Sequence, residues 1–213
     1  MAFEVIPLPS TGISCNSYLV LDDPVRILID PGCDERILGV LRRLGIASET
    51  IRLIINTHCH YDHIVSNELF TEAKVCMHGK DAVHVEEMND GVTLAGMAKK
   101  EILPKIDHKL KDGEIIETRN GKLTIIHTPG HTAGSVCILS STGILFSGDT
   151  VFADSVGRYD FPTGDKEALK KSLQLLSIKR FHHIFPGHGG PTTKDKVKAI
   201  LEDGLIDSLA KAP

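Results

Sequence analysis

Hydrophobic positions along the chain alternate between short β-type runs and longer amphipathic stretches, and this order repeats in two similar halves. Short apolar runs bounded by turn residues predict buried strands. The predicted strands are Phe3–Leu8, Ser17–Leu21, Arg26–Ile29 and Ile51–Asn56 in the first half, and Glu114–Glu117, Lys122–His127, Ser135–Leu139, Ile144–Ser147 and His183–Phe185 in the second. Each half therefore begins with strands and continues into helix.

Apolar residues spaced three and four positions apart predict helices between these strands. The predicted helices are Asp34–Leu44, Asp165–Leu176 and a last helix from Thr192 to about Ala210. Thr192 and Asp195 have the spacing of a capping box at the start of the last helix. Residues 80–108 are predicted as a mixture of helix and loop. Clustered strands with interspersed helices indicate an α+β fold in which two sheets pack face to face, with helices outside.

Composition and charge restrict the classes of function. A length of 213 residues suits one domain over residues 1–213. The formal net charge is −4, and a chain without a basic run is a poor candidate for binding nucleic acid or an anionic membrane. The apolar runs are too short to cross a bilayer, and the first residues do not resemble a signal peptide. Five scattered cysteines indicate free thiols in a reducing cytoplasm rather than a disulfide framework.

The segment THCHYDH holds the densest group of the chain's 11 histidines. It begins directly after a predicted strand, in the kind of loop that builds functional sites. Its ligand-type residues are His58, His60, Asp62 and His63. Imidazole and carboxylate groups are the ligands that zinc and other borderline divalent metals prefer. Because side chains alternate along an extended backbone, Cys59 is predicted to face away from the two histidines that flank it.

Three further ligand-type residues follow other predicted strands, each in a turn that contains glycine: His131, Asp149 and His188. Glycine lets the backbone bend sharply, so that one side chain can point over the edge of a sheet. A single histidine or aspartate in a turn is weak evidence. Four strand ends that each carry a ligand-type residue predict a metal site along one edge of the sheets. His127 is predicted instead to be a buried, hydrogen-bonded residue.

The HxHxDH motif, followed by His131, Asp149 and His188 in that order, resembles the metallo-β-lactamase superfamily, as does LIDPG at Leu28–Gly32. The resemblance implies a four-layer αββα sandwich with a dinuclear metal site. It places the first metal on His58, His60 and His131, and the second on Asp62, His63 and His188, with Asp149 bridging both. Asp30 is expected to orient a ligand histidine.

Two segments, Gly148–Asp165 and Ser14–Val20, are similar to short single-domain relatives of hydroxyacylglutathione hydrolase (glyoxalase II). This similarity implies a thioester hydrolase for S-acyl thiols such as S-lactoylglutathione, with a metal-bridging hydroxide as the nucleophile. Asp62 or Asp149 would accept the proton, and the expected cofactors are two divalent ions per chain, with zinc preferred over iron or manganese. Arg158 and Tyr159 are candidates for binding an anionic thiol carrier. Alternatively, Arg158 forms a structural salt bridge with Asp160 or Asp165.

Two alternative functions remain open at this point. A mononuclear iron persulfide dioxygenase shares the fold and resembles this chain around Gly157–Phe161, with one metal on His58, His131 and Asp149. The presence of His188 in its PGHG turn favours two metals and hydrolysis. A non-catalytic, metal-binding relative is the other alternative, and the complete set of ligand-type residues argues against it.

Overall fold

Two sheets face each other through the centre of the molecule in the computed structural model, which describes residues 4–8, 12–22, 25–204 and 206. Among these residues the first sheet has six strands that pair in sequence order, β1 Glu4–Leu8, β2 Ser17–Asp22, β3 Val25–Ile29, β4 Ile51–Ile55, β5 Lys74–His78 and β6 His108–Leu110. The described part of the second sheet comprises β7 Ile115–Glu117, β8 Lys122–His127, β9 Val136–Ser140, β10 Ile144–Gly148, β11 His183–Pro186 and β12 Thr192–Thr193. Its strands also pair in sequence order.

Helices cover the outer faces of both sheets. They are α1 Arg36–Arg43, α2 Tyr61–Ile64, α3 Gly79–Glu86, α4 Asp90–Thr93, α5 Ala95–Ala98, α6 Lys166–Ile178 and α7 Asp195–Glu202, with 3₁₀ turns at Ser48–Thr50 and Val65–Leu69. Leu41 of α1 packs against Leu28 and Ile54 of the first sheet. Leu173 of α6 and Val197 of α7 pack with Leu145 of the second sheet. This order of layers confirms the predicted α+β, four-layer αββα sandwich.

The strands β2, β3 and β4 of the first sheet bury residues on both faces, which explains their nearly continuous apolar runs. In β2, Tyr18 and Val20 enter the core between the sheets, whereas Leu19 packs under α1. The opposite wall of the central core comes from the second sheet, through residues such as Ile138 and Phe146. Burial of apolar surface on both sides fixes the register of the strands, because a shift by one residue would exchange their two faces.

Three local predictions differ from the structure. β5 and β6 were not predicted; they are short, and they pair parallel with β4 and with each other. The predicted capping box at Thr192 and Asp195 is wrong, because Thr192–Thr193 forms the strand β12, which pairs with β11. The last helix begins at Asp195, after Lys194, which makes no side-chain capping hydrogen bond. Its predicted end near Ala210 lies outside the described residues, as does Phe3.

Strand direction brings several loops to one edge of the two sheets. β3 and β4 run parallel in the first sheet, and β10 and β11 run parallel in the second. The loops that follow these strands carry the LIDPG and HxHxDH motifs, Asp149 and His188. In the described ranges, no helix combines the length and apolar character needed to cross a membrane.

Candidate metal centre

The HxHxDH segment follows β4, bends at Thr57 and His58, and then turns into the short helix α2. His60 precedes α2 with an extended backbone, φ −68° and ψ 143°. His58, His60 and His63 are all buried. Cys59 packs on the opposite side with Ile64 and other apolar residues. The alternation expected of an extended backbone therefore presents both histidines to the site and Cys59 to the core.

Three imidazoles converge in a first group. The Nε2 atom of His131 lies 3.2 Å from Nε2 of His58 and 2.9 Å from Nδ1 of His60. Nitrogens held about 2.0–2.1 Å from a tetrahedral zinc are spaced roughly 3.3 Å apart. His131 Nδ1 donates to the carbonyl oxygen of Arg158 at 2.6 Å, so its Nε2 carries the lone pair. The spacing and the tautomer both fit a metal ligand.

A second group shares the carboxylate of Asp149 with the first. Asp62 Oδ2 lies 3.0 Å from Nε2 of His188 and 3.7 Å from Nε2 of His63. Asp149 Oδ1 lies 3.3 Å from His63 Nε2, and Asp149 Oδ2 lies 3.6 Å from Nε2 of both His131 and His188. The structure thus brings all seven predicted ligand residues together, with Asp149 between the two groups. Their roles as ligands stay predictions.

Unpaired buried atoms supply an independent test of whether a cation fits. Among the described residues, Nε2 of His63 and Oδ1 of Asp149 are buried and make no hydrogen bond. A buried polar atom without a partner costs free energy, and a bound cation between such atoms removes that cost. Burial lowers the pKa of His60 to about 3 and also lowers the pKa of His58, which keeps both rings in the neutral form that binds metals. The donor set therefore fits divalent metal ions.

Asp30 lies directly behind His63, in the orienting position that its motif predicts. Its Oδ2 accepts from His63 Nδ1 at 2.9 Å and from the Thr57 hydroxyl at 2.6 Å, while Oδ1 accepts from the Thr57 backbone N–H at 2.8 Å. Asp30 has a φ of 49°, in the left-handed region that is rare for residues other than glycine. These contacts fix the His63 ring so that its Nε2 faces Asp62 and Asp149.

Two glycines allow loops to approach the site more closely than any side chain would permit. A Cβ atom on Gly187 would lie 2.2 Å from Oδ1 of Asp149 and 2.8 Å from the His63 ring. A Cβ atom on Gly157 would lie 1.9 Å from the Asp149 carbonyl oxygen. The His188 turn and the loop before Arg158 therefore pack directly against the predicted ligand residues.

The two predicted substrate-binding residues point in different directions. Arg158 is exposed and makes a bidentate ion pair with Asp160, at 2.9 and 2.7 Å, while its guanidinium lies 4.1 Å above the Phe161 ring. Phe161 in turn lies edge-on to His60, with 5.6 Å between ring centroids. The Tyr159 hydroxyl donates to the Ile206 carbonyl at 2.9 Å, so its ring packs toward the helical layer. The substrate roles of Arg158 and Tyr159 stay predictions.

Sequence reasoning missed Asn16 as a residue of the site. Its side-chain amide donates to the carbonyls of Pro186 and Gly189, at 3.0 and 2.8 Å, and so brackets His188. The Tyr18 hydroxyl donates to the Pro186 carbonyl at 2.6 Å. Both residues lie in the segment Ser14–Val20, whose sequence predicts part of a strand and carries the resemblance to hydroxyacylglutathione hydrolases but does not indicate a contact with the His188 turn.

Comparisons with known proteins agree with this geometry. The sequence model of the metallo-β-lactamase superfamily matches residues 10–188. A probable metallo-hydrolase from Methanocaldococcus jannaschii, MJ0888, is 38% identical over 203 residues, which cover 87% of this chain and 92% of that protein. The hydroxyacylglutathione hydrolase GloC of Haemophilus influenzae is 32% identical over 208 residues, which cover 91% of this chain and 93% of GloC.

Solved structures show the same likeness. The crystal structure of TTHA1623 in a di-iron-bound form superposes with a TM-score of 0.76 at 30% sequence identity, covering 94% of this chain and 98% of that one. The profile match spans most of the chain, and the motif residues that carry the resemblance meet at one site. The chain therefore belongs to the metallo-β-lactamase superfamily.

Proposed function

We propose that this protein is a dinuclear metal-dependent hydrolase that cleaves thioesters, with S-acyl thiols such as S-lactoylglutathione as substrates. The observation that carries the proposal is the position of Asp149. One of its oxygens faces His63 at 3.3 Å, and the other faces His131 and His188 at 3.6 Å. A carboxylate between two groups of imidazoles is suited to bridging two cations. The similarity to GloC supports the substrate class.

Zinc is the metal that we propose first, with iron and manganese as alternatives. Three imidazoles in one group, and imidazoles with carboxylates in the other, suit all three metals. The di-iron form of TTHA1623 supports the iron alternative. The ligand set contains two carboxylates, Asp62 and Asp149, so two divalent cations would leave the site positively charged. A positive, partly buried site favours anionic substrates and a developing oxyanion.

Divalent ions held by these residues would supply the activation of the nucleophile, because such ions lower the pKa of a bound water to about 7 and would polarise a substrate carbonyl. The chain's own groups orient that chemistry. Asp62 and Asp149 both remain ionised: burial raises their pKa values, but the neighbouring imidazoles, His63 first and His188 with it, together outweigh burial and lower both. Either carboxylate can therefore accept the proton of the attacking water. The thiolate is a good leaving group and needs little help from an acid.

The loop from Asp149 to Asp165 is the part of the chain that we propose to meet the thiol carrier. Arg158 is exposed beside Phe161, and Phe161 contacts the ligand His60. A substrate carboxylate could replace Asp160 as the partner of the guanidinium, since Arg binds carboxylates in bidentate pairs. Tyr159 would act by anchoring the loop, because its hydroxyl is bonded to the Ile206 carbonyl.

We expect the substrate to be a small molecule and expect neither nucleic acid nor a membrane as a partner, since the net charge is −4. All five cysteines are buried and free within the described residues. Free thiols support a reducing, cytoplasmic location.

Metal analysis and a thioester assay together test the proposal. The purified chain is loaded with zinc, iron or manganese, and thiol release from a panel of acyl thiols is followed with a chromogenic reagent. Two metals per chain and thiol release are expected, and Asp149→Ala should abolish turnover. Asp154→Ala, an exposed aspartate in the same loop, is the matched control and should retain it. One metal per chain, no thiol release, and oxygen consumption with a persulfide would instead identify the dioxygenase alternative.

A further inference from the structure

Asp81 is a fully buried carboxylate that the proposed chemistry does not use. It lies in the first turn of α3, and it is 0% exposed. Its Oδ2 accepts from the Cys59 backbone N–H at 3.0 Å and from the Thr132 hydroxyl at 2.7 Å. Its Oδ1 accepts from the Gly134 backbone N–H at 2.6 Å. Burying an ionised carboxylate is costly, and these three donors offset part of that cost, since burial still raises the pKa of Asp81.

The three donors belong to the two loops that carry the first group of histidines. Cys59 lies between His58 and His60, and Thr132 directly follows His131. Asp81 therefore joins the HxHxDH loop to the His131 loop through a single carboxylate. The HxHxDH loop follows a strand of the first sheet and the His131 loop follows a strand of the second, so the connection spans both sheets.

The backbone of Gly134 lies very close to the carboxylate of Asp81. A Cβ atom at this position would lie 2.5 Å from Oδ1 of Asp81, so only glycine allows the backbone N–H to reach the carboxylate. The Thr132 hydroxyl also lies 2.7 Å from the Ser135 hydroxyl, which fixes its orientation. The buried face of α3 that carries Asp81 also packs Ala82 and Val85 into the apolar cluster that contains Cys59. Both the packing and the hydrogen bonds hold Asp81 in one position.

We propose that Asp81 is a positioning residue that sets the spacing of His58, His60 and His131 for metal binding. The ligand nitrogens of these residues lie 2.9 and 3.2 Å apart across the two loops, and a shift of either loop would change those distances directly. The inference rests on the proposed binding of a metal by this first group. His63 and His188 in the second group are held by other residues, Asp30 and Asn16, so the effect of Asp81 should be confined to the first group.

Metal affinity measured separately at each group tests this role. In a His188→Ala background, which weakens the second group, zinc affinity of the first group is measured by competition with a chelator. In a His60→Ala background, the same titration reports the second group. Adding Asp81→Asn should weaken the first group about 10- to 100-fold, the usual effect of removing a partner that orients metal ligands. It should change the affinity of the second group by less than about twofold.

Asn16→Ala is the matched control, because it removes the bonds to the His188 turn and should weaken only the second group. Cobalt absorption spectra of the His188→Ala background, with and without Asp81→Asn, should also differ in band position, which a loss of global stability would not produce. Equal weakening of both groups by Asp81→Asn, or an unchanged first group, would overturn the inference.

A milder pair of variants covers the case in which Asp81→Asn does not fold. Thr132→Ser keeps the hydroxyl and should retain the affinity of the first group, whereas Thr132→Val removes it and should lower that affinity. Identical affinities in the two variants contradict the positioning role.

Thiol release and metal affinity test the thioester proposal and the role of Asp81 separately. A wild-type protein that binds metals but releases no thiol contradicts the thioester proposal alone. An active thioesterase whose first group is insensitive to Asp81→Asn contradicts the positioning role alone. A wild-type chain that binds no metal at the first group contradicts both.

Discussion

Asp30 and His63 are joined by a buried hydrogen bond of 2.9 Å between a carboxylate oxygen and the ring nitrogen that faces away from the other carboxylates. Asp30 also accepts two bonds from Thr57, the residue directly before His58. One carboxylate therefore fixes the tautomer of His63 and the start of the HxHxDH loop together. Such a carboxylate behind a histidine ligand raises the basicity of the ring and orients it.

We expect Asp30→Asn to weaken metal binding at the second group by about 10- to 100-fold. An amide cannot accept from all three donors, and its NH₂ group would face either Thr57 or Nδ1 of His63. In the latter case the proton moves to Nε2 of His63, which then has no lone pair for a metal. Zinc titration against a chelator measures the change.

Asp22→Asn is the matched control for this prediction. Asp22 is also buried and accepts from the backbone of Arg119 and from Asn120, but its bonds lie in a hairpin turn away from the ligands. The Asp22→Asn variant should have a lower free energy of unfolding and an unchanged metal affinity. A similar loss of affinity in both variants would assign the effect to general destabilisation.

The convergence of the ligand-type residues at one site could be predicted from the sequence, because their residue types and their positions after strands both indicate the same site. A histidine or aspartate directly after an apolar strand has its location fixed by the strand, and strands of two facing sheets end at a shared edge. His58, Asp149 and His188 follow β4, β10 and β11 in this way. The layers could be predicted for the same reason, since β2 and β4 have apolar residues on both faces.

Asp30 is expected from the family resemblance, but Asn16 and Asp81 could not be predicted as supporting residues, because their partners include backbone atoms far away in the chain. Asn16 bonds to the carbonyl of Pro186, 170 positions later, and Asp81 bonds to the N–H of Gly134, 53 positions later. A single asparagine or aspartate has no periodicity that would reveal such a contact. The capping prediction at Thr192 failed for a related reason, since pairing with β11 outweighed a local preference.

Gly187→Ala should disrupt the second group of ligands. The added Cβ would lie 2.2 Å from Asp149 Oδ1 and would force the His188 turn away from the site. Overpacking of this kind costs about 1–3 kcal/mol of stability. We therefore expect a lower melting temperature and the loss of the second metal by elemental analysis.

Gly190→Ala, in the same turn, tests whether the effect is specific. A Cβ on Gly190 would meet nothing within 4 Å, and the φ of Gly190 lies outside the left-handed region. The Gly190→Ala variant should therefore bind both metals. Retention of both metals by Gly187→Ala would show that the turn can move without releasing His188.

Arg158→Ala separates a substrate role from a role in loop structure. The guanidinium is exposed and paired with the exposed Asp160. If it binds a substrate carboxylate, kcat/KM should fall for carboxylate-bearing thioesters by about 1.5–3 kcal/mol in transition-state free energy, roughly ten- to hundredfold. Neutral thioesters should be hydrolysed at the wild-type rate.

Asp160→Asn completes this test, because it removes the carboxylate that competes with the substrate for Arg158. It should lower KM for carboxylate-bearing thioesters and leave neutral ones unchanged. An equal loss on both classes in Arg158→Ala would assign the residue to the structure of the loop.

The lowered pKa of His78 predicts that the free energy of unfolding depends on pH. Its ring stacks on His127 with 4.1 Å between centroids, and burial, followed by the charges of His127 and Lys80, lowers the pKa of His78 to about 4. In the unfolded chain it titrates near 6.5. Between these values the unfolded chain binds a proton that the folded protein excludes, so the stabilising contribution is complete above about pH 6.5 and falls as the pH drops toward 4.

Replacing His78 by Asn should flatten that part of the pH profile. The nitrogen Nδ1 of His78 accepts from the Lys80 N–H at the start of α3, and an Asn side chain can also cap a helix there without titrating. The measurement is the free energy of unfolding in urea at pH 7 and pH 5, with chelator present so that metal release does not contribute. His183→Asn, an exposed histidine on β11, is the matched control for the loss of one histidine. The same difference between the two pH values in wild type and His78→Asn would contradict the assignment, because the proton would then be taken up at another group.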